Sequence, residues 1–395
     1  MSIQIEPARH ARLGGFGHST AADAMTAGRD AVRGALAGRL PARGDLVLVF
    51  PSPGYDLEEL HRAAMEEAGS ASVVGATTAG AFTDEAQVPF GCVAAYLGAE
   101  GGMSFGACHV RCDDADVAGS TRRAAEVARQ RAGEEHEHSV LMVLCDGRAT
   151  DQREMARGAY EVVGGAVPLV GGAAGDELGG QATYTFGEGA ILAGGLVAVW
   201  INSARPMAVS IEHGWRPFGK PMLVTRAEGD TIVELDGRPA LEAYVSERGA
   251  ALGEDARAFA QKCMERPLGL PNAHGRYDVR HVQERAPGGG IVLPAGVPEH
   301  TVVQVMAGDA ELLLEGARRA ADTASAQLEE HARLALIFSS RTRAPLLGER
   351  LAEEVAVISS RLGGVAAGGF RTCGEFARVA GSTGIHNSSV ALLVL

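Results

Sequence analysis

The sequence predicts an α/β protein in which three related strand-helix-strand-helix-strand-strand units form mixed sheets covered by helices, with an inserted junction segment. The first observation is a short apolar run that ends in small residues and glycine, and it occurs at Val73–Phe82, Leu169–Asp176 and Val365–Phe370. The second is that an amphipathic segment precedes each copy and a purely apolar run follows it. Such internal repetition indicates that one supersecondary unit recurs along the chain.

The units are predicted to span residues 9–97, 102–201 and 300–395. The segment 202–299 does not repeat their order, so we interpret it as an insert of a different kind. A chain of 395 residues with 46% hydrophobic residues favours two domains. We therefore expect an N-terminal domain over 1–205 with two units, and a C-terminal domain over 206–395 with the insert and the third unit.

In the first unit, residues 9–18 are expected to form a strand, and Ser19 or Thr20 is expected to cap the helix that follows. Leu46–Phe50 is a continuous apolar run of the kind that is buried on both faces of a parallel sheet. Asp56 is the expected cap of the second helix, in which apolar residues recur at helical spacing.

The second and third units repeat this pattern, with central apolar runs at Val140–Leu144 and Leu334–Phe338. Asp151 and Glu154 form a capping box at the start of a helix in the second unit. Alternating strands and helices indicate sheets covered by helices. The last two strands of each unit lie close in sequence, so we expect mixed sheets with the three central runs in equivalent positions.

The composition excludes several classes of protein. A net charge of −13 argues against proteins that follow nucleic-acid phosphates or bind anionic membranes. Residues 1–20 lack the pattern of a signal peptide, and no apolar run is long enough to cross a bilayer. We therefore expect a cytoplasmic protein.

The cysteines are spaced without a disulfide framework, so all six are expected to be free thiols. Cys108–Cys112, with His136 and His138 nearby, has the residue types of a metal site. Its spacing is not that of a zinc site, and it overlaps the end of an apolar strand. No metal site is predicted.

The insert predicts a hairpin around Glu228–Asp230 and a turn at Asp236-Gly237, with Pro239 opening a helix over 239–249. Several of its motifs resemble the junction of FIST domain proteins, in which an N-terminal FIST domain joins a C-terminal one. These are His213-Gly214-Trp215, Val224-Thr225, Glu234-Leu235-Asp236-Gly237, Pro239-Ala240 and Tyr244. Val170–Asp176 resembles the glycine signature of the N-terminal domain. The closing signature of the C-terminal domain is similar to Gly369-Phe370, Gly374-Glu375 and His386-Asn387.

This resemblance extends from about residue 20 to residue 395. It implies a bacterial intracellular sensory module of signal transduction that binds a small ligand, with amino acids as one class. Some members resemble haem-binding sensors of nitric oxide that act through partner kinases. The chain departs from the family at Ser339-Ser340-Arg341, where many relatives show Cys before Gly-Arg, and at Cys373, where an aromatic or polar residue is commoner.

The candidate site lies where the strand exits Thr77–Gly80, Gly172–Asp176 and Gly369–Glu375 are expected to meet, with His213–Trp215 at its edge. The glycine-rich exits either present backbone N–H groups to an anion or allow strands to pack closely. The candidate ligand-binding residues are Thr77, Thr78, Gly172, Asp176, His213, Trp215, Arg341, Cys373, Glu375, His386 and Asn387.

Structural interpretations stand beside these candidates. Glu375 is expected to be partly buried, and Arg341 or Arg371 could be its partner without any ligand. His386 is more often a hydrogen-bonded structural histidine than an iron ligand. His213 and Trp215 either line a pocket or hold the two domains together.

Three function classes remain open. The first is binding of a small polar ligand such as an amino acid, with its ammonium on Glu375 or Asp176 and its carboxylate on Arg341 or backbone amides. The second is a haem sensor, although no cofactor is expected from the residues themselves. The third is an enzyme with Cys373 as nucleophile, His386 as base and Glu375 as orienter. The expected partners are a small molecule and a signalling protein such as a kinase, and a homo-oligomer is compatible with the sequence.

Overall fold

The computed structural model describes residues 14–133, 136–148, 151–176, 182–249, 251–272, 275–328, 331–378 and 384–395. Residues 9–13 of the first predicted strand lie outside the described residues. Helices and mixed sheets account for most of the described chain, so the predicted α/β class is confirmed.

The first two units have the same order of elements. The first contains β1 (Gly14–Ser19), α1 (Ala24–Leu36), β2 (Leu46–Pro51), α2 (Leu57–Ala68), β3 (Ser72–Ala76), β4 (Ala81–Thr83), β5 (Gln87–Val88) and β6 (Cys92–Leu97). The second contains β7 (Met103–Arg111), α3 (Val117–Ala132), β8 (His138–Cys145), α4 (Gln152–Val163), β9 (Leu169–Ala173), β10 (Thr185–Gly187), β11 (Ala190–Leu192) and β12 (Gly195–Ser203).

The third unit is interrupted after its first strand, β13 (Ala208–Glu212). The insert contains β14 (Arg216–Pro217), β15 (Met222–Glu228), β16 (Thr231–Leu235), β17 (Arg238–Pro239), α5 (Ala240–Arg248), α6 (Ala256–Met264), β18 (Leu268–Pro271), β19 (Tyr277–Arg280), β20 (Glu284–Ala286), β21 (Gly290–Val292) and β22 (Val302–Ala307). The unit resumes with α7 (Ala310–Ser325), β23 (Leu334–Ser340), α8 (Ala344–Leu347), α9 (Leu351–Arg361), β24 (Ala366–Thr372), β25 (Glu375–Ala377), β26 (Ile385–His386) and β27 (Val390–Val394).

The first strand of the third unit corrects a sequence prediction. The run in β22 was expected to open the unit at residue 300, but β22 pairs with β15 and β18 of the insert. The position that β1 and β7 hold, antiparallel to the last strand of the unit, is occupied by β13 beside β27. Both runs are short and apolar, and periodicity does not tell which sheet a strand joins. The third unit therefore begins at Ala208, and the insert lies between β13 and α7.

Three six-stranded sheets have matching strand orders: β1-β6-β2-β3-β10-β11, β7-β12-β8-β9-β25-β26 and β13-β27-β23-β24-β4-β5. The three central runs, in β2, β8 and β23, each lie third in this order. Each is parallel to the next strand of its own unit and antiparallel to the last strand of that unit. The sheets are therefore mixed, as predicted.

The hairpin of each unit completes the sheet of a different unit. The first unit gives β4–β5 to the third sheet, the second gives β10–β11 to the first, and the third gives β25–β26 to the second. This cyclic exchange ties the three units together. Two of the three sheets combine strands from both sides of residue 205, where the sequence predicts a domain boundary, and that boundary stays a prediction.

The repeated glycines have a structural reason. A Cβ atom on Gly75, Gly171 or Gly369 would lie 1.9, 1.9 or 1.8 Å from a carbonyl oxygen of the neighbouring parallel strand. A buried phenylalanine of the incoming hairpin lies opposite each glycine: Phe186 opposite Gly75, Phe376 opposite Gly171 and Phe82 opposite Gly369. The glycines thus allow close strand approach and leave room for the aromatic ring.

Apolar side chains from all three sheets meet in one central core, with Leu48, Met142 and Leu336 among them. Helices α1 and α2 cover the outer face of the first sheet, α3 and α4 that of the second, and α7 and α9 that of the third. The insert has a core of its own around Tyr244.

The helix caps and the cysteines test local predictions. Asp56 and Asp151 cap α2 and α4 as predicted. The cap of α1 is Asp23, whose carboxylate accepts the Thr26 N–H at 2.8 Å, and the prediction of Ser19 or Thr20 is wrong because the helix begins later. All six cysteines are free. Among the described residues, no helix has both the length and the apolar character needed to cross a membrane.

Candidate functional site

The three strand exits meet, as the sequence predicts. The Gly175 N–H donates to the Thr77 carbonyl at 2.9 Å, and the Ala79 N–H donates to the Arg371 carbonyl at 3.2 Å. The Cys373 N–H donates to the Ala173 carbonyl at 3.0 Å. Backbone bonds therefore link all three exits in the ring of units.

Three of the predicted site residues hold these exits together. The Thr77 hydroxyl accepts the Tyr184 N–H at 3.0 Å, and the Thr78 hydroxyl accepts the Arg371 N–H at 3.2 Å. A Cβ on Gly172 would lie 2.5 Å from a methyl carbon of Thr372. For Thr77, Thr78 and Gly172 the structure favours the structural interpretation.

A buried ion cluster supports the third exit. The Glu354 carboxylate is fully buried and accepts hydrogen bonds from Arg343 at 2.7 Å, from Ser339 at 2.8 Å and from Arg371. Burial opposes ionisation of Glu354, but Arg343 and Arg371 outweigh it and lower its pKa to about 2. No sequence pattern indicated Glu354, because it lies on an ordinary amphipathic helix.

Glu375 is fully buried, but its partners are not the predicted ones. It accepts hydrogen bonds from the Thr372 hydroxyl and, at 3.2 Å, from the Ser389 N–H. The expected partners pair elsewhere: Arg371 with Glu354, and Arg341 with Asp176. Burial raises the pKa of Glu375 to about 8, and its hydrogen bonds only partly oppose that rise.

The predicted histidines and Trp215 bond to the backbone. His386 Nε2 lies 3.0 Å from the Ala377 carbonyl, and His213 Nδ1 accepts the Trp215 N–H at 2.9 Å. Burial, reinforced by nearby arginines, lowers the pKa of His386 to about 3 and that of His213 to about 4. Trp215 Nε1 donates to the Ser388 carbonyl at 2.8 Å, so this residue connects the start of the insert to the last turn of the third unit.

Asp176 and Arg341 form a mixed-charge pair between the second and third units. Arg341 Nη1 lies 3.5 Å from Asp176 Oδ1, and the Arg341 side chain is 27% exposed whereas that of Asp176 is 4% exposed. The partly buried Cys373 lies beside this pair. Burial raises the pKa of its thiol, and Arg341 opposes that rise.

Asn387 differs from its neighbours because its side chain is unsatisfied. It is 1% exposed, and neither its amide nitrogen nor its amide oxygen has a hydrogen-bond partner among the described residues. It follows His386 and begins the turn Asn387–Ser389, in which the Ser388 N–H donates to the Ser340 hydroxyl at 3.2 Å. Arg341 follows Ser340 in the chain, so this turn is hydrogen-bonded to the residue next to Arg341.

The insert adds two residues, Arg280 and His281, that the sequence did not predict to belong to the site. Arg280 Nη2 donates to the Ile385 carbonyl at 3.1 Å, which places the end of β19 against β26. His281, which follows it, is buried, and its Nδ1 has no partner among the described residues. Burial, followed by Arg341 and Arg280, lowers the pKa of His281 to about 3. Only the folded structure shows that Arg280 and His281 of the insert lie near this site.

The contacts do not form the relay that the enzyme hypothesis needs. Among the described residues, Cys373 and His386 share no hydrogen bond, and Glu375 bonds to Thr372 and Ser389 instead of His386. A haem needs an axial ligand beside an apolar slot, whereas His386 lies opposite Glu375 in the sheet and close enough to Arg280 for its charge to lower the histidine pKa. These residues do not fit the macrocycle.

The described surface also contains a cavity of about 340 Å³ against α7 and α9, lined by Arg318, Glu353, Ala356, Val357, Ser360 and Arg361. Its charged groups already pair with neighbours, as Arg318 does with Glu311 and Glu353 with Arg350. The geometry therefore favours the cluster at the strand exits as the candidate site.

Comparison with known proteins identifies the family. The model of the FIST N domain matches residues 45–238, and that of the FIST C domain matches residues 240–378. The chain belongs to the FIST domain family. FIST domains are associated with sensing in signal transduction. The border between the two matches falls at the turn before α5, inside the insert.

Two mycobacterial relatives are similar to about half of this chain. An uncharacterized protein of Mycobacterium bovis is 30% identical over 221 residues, which are 54% of this chain and 56% of that protein. An uncharacterized protein of Mycobacterium tuberculosis is 28% identical over 221 residues, which are 54% of this chain and 57% of that protein. The match thus spans little more than half the length of these relatives.

Proposed function

We propose that this FIST protein senses a free α-amino acid bound at the junction site, defined as Asp176, Arg341 and Asn387 with His281 from the insert. The observations that carry the proposal are a carboxylate and a guanidinium 3.5 Å apart and, in the turn bonded to the neighbouring Ser340, a buried amide whose two polar atoms have no partner among the described residues. An amino acid carries the complementary charges on one small molecule.

The separation of Asp176 and Arg341 favours an inserted ligand over a tight pair. Charge-assisted N–H···O bonds are usually about 2.7–2.9 Å long, and this contact measures 3.5 Å. A ligand carboxylate can accept both N–H groups on one edge of the Arg341 guanidinium, and a ligand ammonium can donate to Asp176. Arg341 would then gain a shorter bond than its present contact with Asp176 supplies.

Glu375 is less suited to the ammonium than Asp176, although the sequence left both open. A carboxyl group with its pKa raised to about 8 is mostly protonated at neutral pH. Its oxygens also face Thr372 and Ser389. We therefore assign Glu375 the task of holding the Asn387–Ser389 turn, and Asp176 the task of binding the ammonium.

The insert supplies a physical basis for signalling. His281 and Arg280 belong to the insert, whereas Asp176, Arg341 and Asn387 belong to the second and third units. A ligand that contacts both parts strengthens their association and thereby shifts the balance between their arrangements. The downstream partner, with a kinase as the expected class, stays a prediction.

The test is calorimetry of the purified protein with each of the common α-amino acids. We expect one or a few to bind, and Arg341→Gln and Asp176→Asn each to weaken that binding by about 10- to 100-fold, the range for a charge-assisted hydrogen bond. Arg350→Gln is the matched control, because Arg350 forms ion pairs with Glu353 and Glu311, neither of which belongs to the site. Thermal melts of all variants separate lost binding from lost folding.

Two results would overturn the proposal. One is that no α-amino acid binds the wild-type protein at millimolar concentration. The other is that a folded Arg341→Gln protein binds the amino acid as tightly as wild type does.

A further inference from the structure

We infer, resting on the proposed function, that the ligand of the junction site carries a primary carboxamide side chain, the class of glutamine and asparagine, and that Asn387 is the residue that selects it. The starting point is that both the donor and the acceptor of the Asn387 side chain are buried and unpartnered among the described residues. Leaving both unpaired is costly, because each group gives up its hydrogen bonds to water on burial and gains none in return.

Asn387 is held in place by its surroundings. The Ser388 carbonyl accepts from Trp215 Nε1 at 2.8 Å, and the Ser389 N–H donates to Glu375 at 3.2 Å. Ser388 adopts a positive φ of 55°, which a non-glycine residue keeps only when its surroundings enforce it. The turn is thus fixed on two sides, and the Asn387 amide is a prepositioned group.

Hydrogen-bond complementarity selects the ligand group. The Asn387 amide offers an N–H donor and a C=O acceptor side by side. A carboxamide presents the opposite pair and satisfies both atoms with two parallel hydrogen bonds. A carboxylate satisfies only the nitrogen and places a lone pair against the Asn387 oxygen, an ammonium satisfies only the oxygen, and an aliphatic side chain satisfies neither.

The remaining groups also favour a neutral carboxamide over a second carboxylate. Arg280 is committed to the Val279 and Ile385 carbonyls at 2.8 and 3.1 Å. Arg343 and Arg371 share Glu354. His281 is neutral at physiological pH because its pKa is lowered to about 3. In its Nε2–H tautomer, Nδ1 can accept the second N–H of a ligand carboxamide, whereas it offers a carboxylate no charge.

The experiment compares ligands on the unmodified protein, so it does not depend on how a variant folds. Calorimetry with glutamine, asparagine, glutamate, aspartate and alanine should show one carboxamide binding at least about tenfold more tightly than its matching acid and than alanine. Asn387→Ala should remove this preference, so that the variant binds glutamine and asparagine no more tightly than glutamate and aspartate.

The outcomes separate this inference from the proposed function. If glutamate or alanine binds as tightly as glutamine and asparagine, the inference is overturned while amino acid binding stands. If a folded Asn387→Ala protein keeps the full carboxamide preference, Asn387 is not the selecting residue. If the wild-type protein binds none of the five nor any other α-amino acid, the proposed function fails and the inference fails with it.

Discussion

Replacing Glu375 by Gln should remove a pH dependence of stability without disturbing the folded state. In the protonated form, one oxygen of Glu375 accepts the Ser389 N–H and the other can donate to the Thr372 hydroxyl. A glutamine amide presents the same acceptor and donor. We therefore expect the two proteins to have similar free energies of unfolding at pH 6.

The sign of the pH effect follows from the raised pKa. Glu375 has a folded-state pKa of about 8 against an ordinary glutamate value of 4.5, so between these values the folded protein binds more protons than the unfolded chain. Its contribution to stability is therefore present at low pH and is lost as the pH rises towards 8. The slope is about 1.4 kcal/mol per pH unit, which gives a loss of about 2 kcal/mol between pH 6 and pH 8.

Nearby groups do not produce this slope. His386 and His213 have their pKa values lowered from 6.5 to about 3 and about 4, so the unfolded chain binds more protons at pH 6 and their contribution to stability rises with pH, opposite in sign to that of Glu375. Burial raises the pKa of the Cys373 thiol above its ordinary value, so this group does not lose a proton in this range. Taking the difference between variant and wild type cancels any contribution that both proteins share.

Urea unfolding at pH 6, 7 and 8 measures the effect in wild type, in Glu375→Gln and in Glu349→Gln, whose exposed side chain makes it the control. Wild type and control should lose about 2 kcal/mol more than Glu375→Gln across this range. If the free energy of unfolding changed equally with pH in all three proteins, the assignment of Glu375 as a neutral buried carboxyl would be refuted. A large loss of stability in Glu375→Gln at pH 6 would refute the proposed hydrogen-bond pattern.

Three further predictions concern the exchanged hairpins and the repeats. Phe186→Ala should lower the free energy of unfolding by about 3–5 kcal/mol in urea titrations, because it empties the space opposite Gly75; a loss below about 1 kcal/mol would contradict this packing. Gly171→Ala should unfold or strongly destabilise the protein, whereas Gly165→Ala, which meets no atom within 4 Å, should not; equal melting temperatures would contradict the close strand approach. A chain cut after residue 205 should lack a cooperative thermal transition, because the second sheet loses β25–β26; a sharp transition with near-native circular dichroism would show that this half folds alone.

The sequence predicted where the strands lie along the chain better than it predicted which strands pair with one another. Apolar periodicity located β2, β8 and β23 and their central positions, because a strand buried on both faces must be continuously apolar. It misassigned β22, since an apolar strand in the insert looks the same as one in a unit. The glycines at 75, 171 and 369 were visible as a repeat, but the matching phenylalanines at 186, 376 and 82 are contributed by other units. The exchange of hairpins is a long-range property that no local pattern encodes.

The candidate site, too, could be predicted from the sequence only in part. The convergence of the exits followed from the repeat, and it is observed. The partner of Glu375 did not follow, because Arg341 and Arg371 have the right charge but bond to Asp176 and Glu354. A buried carboxyl can be satisfied by a hydroxyl and a backbone N–H when it is protonated, and sequence does not reveal the protonation state. Asn387 was predicted as a site residue, but its unsatisfied amide is visible only once its neighbours are placed.

The measurement that tests the proposed function most directly changes the ligand and leaves the protein intact. Calorimetry should compare the amino acid that binds most tightly with its α-N-acetyl derivative and its α-carboxamide derivative. The first derivative lacks the ammonium that Asp176 would bind, and the second lacks the carboxylate that Arg341 would bind. We expect each to bind at least about tenfold more weakly than the parent. Equal affinity of either derivative and the parent would contradict the binding of a zwitterion between Asp176 and Arg341.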